Sequence, residues 1–479
     1  MSLFIFSFYF LCLVCFGLYI FTRKTNTPPE GSNDAEFVSF RNSYLIVYTL
    51  GMAGDWLQGP YVYALYEHYG MSKRDIEFLF VAGFGASMLF GTIVGSIADK
   101  YGRRKNCIIY GIVYGLTCIT KHFNNFWVLL IGRLLGGTAT SILWSGFESW
   151  LVHEHHSRGY SEHQLEETFN LAIFFNSIGA IASGLVSQYA VDWFGFVAPF
   201  DCALLVLLAM AAIAWLRWPE NYGDSGAQLG ANFAAAWNAV RTDRKVLSLG
   251  ITQAMFEGSM YCFVLEWTPA LTPEKLMPSV AAGHAGRIPH GYIFAAYMVS
   301  MMIGSQLYSL CSAQARPESF MRWVFAVSAL CFALPAWKKT DALIPATFGG
   351  FLAFEACIGL FWPAIGTMRG RYVPDATRAT VMNFFRVPLN LIVVVILTQN
   401  FPLALIFKCC TGFMFIAFVT QVYLNRITKC QDLQHLNELQ KQQQQQEQEE
   451  WRTSVLDSPA ESESAEQESE KYSSPELAA

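Results

Sequence analysis

The chain has 479 residues, of which 53% are hydrophobic and only 14% charged, with a formal net charge of −5. A soluble domain carries about 25% charged residues, so this composition excludes a string of globular domains and requires a polytopic membrane protein. The weak acidity and the lack of a domain-scale basic patch also exclude a nucleic-acid binder, which needs clustered Lys and Arg.

A helix that crosses a bilayer needs roughly 20 apolar residues. The first such run, 3 to 21, is followed by Arg23 and Lys24, with nothing basic before it and no small-residue cleavage site. That charge placement predicts a retained anchor with its N-terminus outside, joined by a cytoplasmic linker to residue 42. Twelve further runs follow, numbered here span 1 to span 12: 43–66, 78–98, 106–121, 126–149, 169–190, 197–217, 246–267, 291–311, 320–337, 343–366, 380–400 and 402–424. The run 106–121 is the shortest. Residues 218–245 are rich in Gly, Ala and Asn and form the longest internal hydrophilic segment. They predict a cytoplasmic linker between two six-helix bundles, 43–217 and 246–424.

From residue 425 onward the chain turns polar, with a glutamine run at Gln442 to Gln446 and an excess of Ser, Glu and Pro. Such a segment cannot bury enough apolar surface to fold alone, so 425–479 is expected to be a disordered acidic tail, with a short helix at most over 431–450. It holds twelve acids against five bases, which leaves the membrane body at +2.

Orientation follows from the loop bases. Alternate loops hold nineteen Lys and Arg on one side and seven on the other, and the richer side is expected in the cytoplasm. The richer set includes Lys100 to Lys105, Arg241 to Lys245, Arg369, Arg371 and Arg426. The poorer set includes Lys73, Lys121, Lys275, Arg287, Lys338 and Lys339. The C-terminus is therefore expected inside, in a multi-pass protein of the plasma membrane. The twelve cysteines sit almost entirely within apolar runs without CxxC spacing, as small core residues do.

Between spans 2 and 3 the sequence reads Gly95-Ser96-Ile97-Ala98-Asp99-Lys100-Tyr101-Gly102-Arg103-Arg104-Lys105. Gly95 allows close helix approach, Gly102 permits a tight turn, and Asp99 accepts hydrogen bonds from a helix N-terminus or an Arg. The string resembles the signature loop of the major facilitator superfamily, and Arg133 to Gly137 on span 4 is similar to a second motif of that superfamily. The matching loop of the second half, after Gly304, lacks the Asp and the basic run. The resemblance implies an all-α polytopic membrane protein with the major facilitator fold: six plus six transmembrane helices, here with one extra N-terminal helix.

More particular strings are Asp55 to Tyr63 on span 1, Phe147 to His155 leaving span 4, Pro219 to Tyr222 after span 6, Gln253 to Glu257 and Trp267 to Pro269 on span 7, and Asn383 to Asn390 on span 11. Together they resemble the molybdate-anion transporter family, the major facilitator superfamily domain-containing protein 5 type. That resemblance implies secondary-active uptake of the molybdate oxyanion by alternating access. A transporter of another anion or an organic solute, and a sensor that kept the fold without turnover, stay open as alternatives.

Ionisable residues inside a membrane are costly and mark function. The acids are Asp55 on span 1, Glu257 on span 7, Glu355 on span 10 and Glu148 near the inner end of span 4; the bases are Arg133, Arg386 and Lys408. A tetrahedral dianion needs fixed donors and positive charge, which an Arg fork provides. Arg386, about 9 Å into span 11 by helix rise, is the first choice, flanked by Asn383 and Asn390. A structural ion pair between Arg386 and Glu355 or Glu257 is the competing reading. Asn170, Asn176, Gln58 and Tyr61 are candidate neutral donors. Asp55 and Glu257 repel a dianion unless protonated or paired, so with Glu355, Glu148 and Arg133 they are candidates for coupling or gating. Lys408 is expected to be structural.

His153 to His156 lacks the H-E-x-x-H spacing and is expected to be a solvated loop rather than a metal site. No G-x-S-x-G, Walker loop or dinucleotide fingerprint occurs, so no enzyme chemistry and no cofactor are expected. The expected partners are the oxyanion, protons as coupling ion and the lipid bilayer, with the protein as a monomer.

Overall fold

The computed structural model describes residues 2–25, 35–223, 229–273, 288–337, 341–373, 378–399 and 401–456. Among them there is no strand, and every expected span is helical, as a bilayer demands of backbone that has no water to bond. The helices are α1 (Ser2–Thr25), α2 (Ala35–Trp56), α3 (Val62–His68), α4 (Lys73–Tyr101), α5 (Arg103–Thr120), α6 (Phe126–Ser157), α7 (Glu162–Phe194) and α8 (Ala198–Arg217). They continue as α9 (Leu229–Thr242), α10 (Arg244–Leu271), α11 (His290–Gln314), α12 (Pro317–Trp337), α13 (Ile344–Tyr372), α14 (Arg378–Thr398) and α15 (Leu403–Leu456). Lys275, Arg287, Lys338, Lys339 and the tail from 457 lie outside the described residues.

Four expectations are corrected. Span 1 is not one helix: α2 stops at Trp56, a 3-10 turn covers Gly59–Tyr61, and α3 starts at Val62. Pro60 lacks an N–H and starts a new helical stretch more readily than it continues an old one. The linker 218–245 contains the helix α9. The histidine string is no loop, because α6 continues through Ser157 and buries His155 completely. The tail is helical as far as Leu456, built from Gln, Lys, Glu and Leu, straight-chain residues that lose little rotamer freedom in a helix.

The chain through Val422 is one compact unit and the chain from Tyr423 a second. In the first six helices α4 and α5 pack on α6, α5 on α8, and α2 on α7 and α8. Their core is an aromatic stack in which Trp150 and Trp218 lie 3.8 Å apart with planes 10° from parallel. In the second six, α11 and α12 pack on α13 and α10 on α14, around Phe256 and Phe361, stacked at 4.0 Å. The sets meet where α7 faces α11 and α4 faces α14.

Helix α1 lies along α11 in the second set, with Phe4 edge-on to Phe348 at 4.8 Å and Gln306 Nε2 donating to Cys15 Sγ at 3.4 Å. Trp193, Phe194, Leu216, Leu330 and Trp337 are exposed, as a lipid-facing surface requires and a water-facing one forbids. The end that carries Gly102, Arg158 and Asn221 is called the basic end below, and the opposite one the far end.

Candidate functional site

In the middle layer, Asp55 sits at the end of α2, just before the break in span 1. Tyr114 of α5 donates its hydroxyl to Asp55 Oδ1 at 2.5 Å, and Trp56 Nε1 donates to Asn176 Oδ1 on α7 at 2.8 Å. Gln58 is buried and gives its amide to the Gly54 carbonyl. On α10, Glu257 is 5% exposed and its Oε1 has no hydrogen-bond partner. Glu257 lies in the field of Arg369 and Arg386, and Tyr261, one turn further along, in that of Glu257, Arg386 and Asp55. Tyr261 thus lies within electrostatic reach of Asp55 in the first half and of Glu257 and Arg386 in the second.

Arg386 is exposed on α14 and, among the described residues, has no carboxylate within ion-pair distance. Arg369, on α13, points its Nη1 at Met382 Sδ at 3.2 Å, one helical turn before Arg386. Asn390 is half-buried; the side chain of Asn383 lies outside the described residues. Asn170 is exposed on α7, and Glu355 is buried on α13 near Tyr297.

At the basic end the signature loop is tied to the strand of residues leaving α8. Gly102 has φ 115°, and a Cβ there would lie 2.5 Å from the Glu220 carboxyl carbon, so only glycine fits the turn. Glu220 Oε1 accepts the Arg104 backbone N–H at 2.8 Å, and the Asn221 carbonyl accepts that of Arg103 at 2.9 Å. These bonds cap the α5 N-terminus from a distant segment. Arg103 also pairs with Asp99 at 2.7 Å, and Lys100 lies over the Tyr101 ring. Beside this latch, Arg103, Ser145, Glu148, Ser149, His153 and His156 line a cleft of about 750 Å³. The second half has its own latch despite lacking the sequence motif. Buried Glu318 at the start of α12 receives Arg371 Nη1 at 3.3 Å and the Tyr372 hydroxyl, both from the end of α13.

The far end is closed by contacts between the halves. Tyr61 donates to Gln188 Oε1 at 2.7 Å, and the same oxygen accepts the Gly291 N–H at 3.0 Å. Lys73 of α4 lies 3.3 Å from Glu266 of α10 and 3.4 Å from Glu77. Arg133 lies flat over the Phe80 ring at 3.8 Å, and buried Lys121 donates to the Tyr66 hydroxyl at 2.7 Å. Tyr61 is thus engaged between the halves, away from the middle layer. Sequence reasoning missed Lys73, Glu77, Glu266, Gln188, Tyr114, Arg369 and Glu318. The charged ones lie near helix ends, where they pass for ordinary flanking residues, and the neutral ones carry no signal in composition.

A family described as sugar transporters, 12 TM, matches residues 3–362. Among curated proteins, the molybdate-anion transporter of Xenopus tropicalis is 32% identical over 382 residues, 77% of this chain and 80% of that protein. The molybdate-anion transporter of Danio rerio is 32% identical over 427 residues, 81% of this chain and 85% of that protein. Among solved structures, the nucleoside transporter NupG superposes with a TM-score of 0.61 at 11% identity, over 81% of this chain and 99% of that one. A bacterial homologue of the human lysosomal transporter Spinster, inward-facing and unoccupied, gives 0.57 at 13% identity, over 83% and 98%. At such identities the structures share the fold alone.

Proposed function

Because the chain belongs to the molybdate-anion transporter family of the major facilitator superfamily, we propose that it takes up molybdate across the plasma membrane by alternating access. It is a membrane transporter and not an enzyme. The observation that carries the substrate reading is Arg386, an exposed guanidinium on α14 within electrostatic reach of the buried acid Glu257. Arg386 has no carboxylate within ion-pair distance among the described residues, and a tetrahedral oxyanion satisfies a guanidinium fork with parallel hydrogen bonds. Asn390, Asn383 and Asn170 are the proposed neutral donors. Asp55 and Glu257, one at the first span of each half, are the proposed proton carriers, with Glu148 on the exit cleft.

The basic end is assigned to the cytoplasm by its excess of Lys and Arg. Phe8 beside Tyr292 and Cys15 beside Gln306 set α1 parallel to α11, which supports an N-terminus on the far, outer side. The closed far end and the exposure of Glu148 and Arg386 support a state open to the cytoplasm, from which the two bundles, 43–217 and 246–424, rock apart at the outer end. Arg386→Ala is expected to abolish molybdenum accumulation in expressing cells, with surface amount unchanged. Accumulation at the wild-type level would overturn the assignment. Competition by tungstate and by sulfate, assayed separately, tests the oxyanion class.

A further inference from the structure

The far-end triad of Lys73, Glu77 and Glu266 has a charge imbalance that its burial makes consequential. Glu77 is 1% exposed and Glu266 0%, while Lys73, at 33%, opens to the outer water. Among the described residues neither carboxylate has a hydrogen-bond partner beyond this lysine, and no other base lies within ion-pair distance of either. Among the described residues, Tyr63 on α3 lies in the field of both acids and Cys262 on α10 in that of Glu266, and neither brings a positive charge. Lys121 and Arg133 stand nearby but are engaged with Tyr66 and Phe80. Among the described residues two buried acids therefore share one base, and the acids come from opposite halves.

We propose that Glu77 and Glu266 form a proton-binding site that exists only when the outer end is closed. With the halves apart, both carboxylates face water and stay ionised. On closure they lose that water and meet on one ammonium, which leaves one buried charge uncompensated and strongly disfavoured. One proton from the outer solution binds a carboxylate oxygen, which removes the surplus charge, and it returns to the outer solution when the gate opens. The closed state holds one more proton than the open state, so outer acid favours closure and outer alkali favours opening. The inference rests on the alternating-access reading above but not on the identity of the substrate.

The test uses the full chain in lipid nanodiscs, with spin labels introduced at Phe123 and Leu343 through an unnatural amino acid, since twelve native cysteines preclude thiol labelling. In the wild type the ratio of short to long label distances is expected to rise as pH falls from 8 to 5, by up to about tenfold per pH unit for one linked proton. Glu266→Gln and Glu77→Gln each supply a neutral partner for the lysine and are expected to stay closed throughout. Lys73→Gln is expected to need lower pH to close. A wild-type distance that ignores pH overturns the proposal, and so does a titration that persists unchanged in both Gln variants. Molybdenum uptake measured in parallel separates the two readings. A gate that titrates in a protein that accumulates no molybdenum supports the proton site and removes the substrate assignment.

Discussion

At the scale of single residues, Glu220 contributes through where it stands. Its carboxylate accepts an N–H at the first turn of α5 and lies 3.5 Å from the Arg104 guanidinium, and anions are stabilised at helix N-termini. Glu220→Ala is expected to lower stability by about 1 kcal/mol, the usual loss of a helix cap, and Glu220→Gln by less, since one acceptor oxygen remains. Thermal unfolding of the purified protein checks the order; equal losses would place the effect in packing. Asp55, Glu257 and Arg386 were legible as charges in apolar runs. Glu266 was not, because it lies only five residues from the end of α10, where a charge normally reaches water. It meets Lys73 from the first turn of α4, in the other half, and no single-helix pattern encodes that.

At the scale of elements, eight helices are by themselves long and apolar enough to cross a membrane among the described residues. The others that match expected spans, α2, α4, α5, α10 and α14, fall short, and they supply Asp55, Lys73, Glu77, Glu257, Glu266 and Arg386. A helix that lines a polar path gives up hydropathy to do so. The twelve-span pattern was therefore readable, while the break in span 1 was hidden because Pro60 is tolerated in continuous membrane helices as well. Where α7 meets α11, a Cβ on Gly291 would lie 2.3 Å from the Gly184 carbonyl oxygen. Gly291→Leu is expected to hold the far end apart and slow uptake about tenfold or more, from an overpacking cost of roughly 1–3 kcal/mol. Wild-type uptake in that variant, at equal surface amount, would show that the approach is not needed for turnover.

At the scale of the molecule, the charge of the loops and tail makes a topological prediction. A tag at the C-terminus is expected to be labelled by antibody only after cells are permeabilised, and a tag at the N-terminus in intact cells. The reverse pattern would invert both the gate and the path. The superfamily was legible from the Gly95 to Lys105 loop, since few sequences combine that acid, that turn and those bases. The second latch, Glu318 with Arg371, was not, because the acid stands on the opposite side of its pair from the first and the match in sequence is lost.

The packing of α1 against α11 has a mechanical side. The helix is joined in sequence to α2, in the first set, yet rests on the second. Nine residues, 26 to 34, connect the two, and a stretch from Thr25 to Ala35 spans at most roughly 35 Å when fully extended. That contour length is a leash between the halves: however far they tilt, the end of α1 and the start of α2 cannot separate beyond it. On the alternating-access reading proposed above, this helix sets an upper bound on how far those two ends move apart.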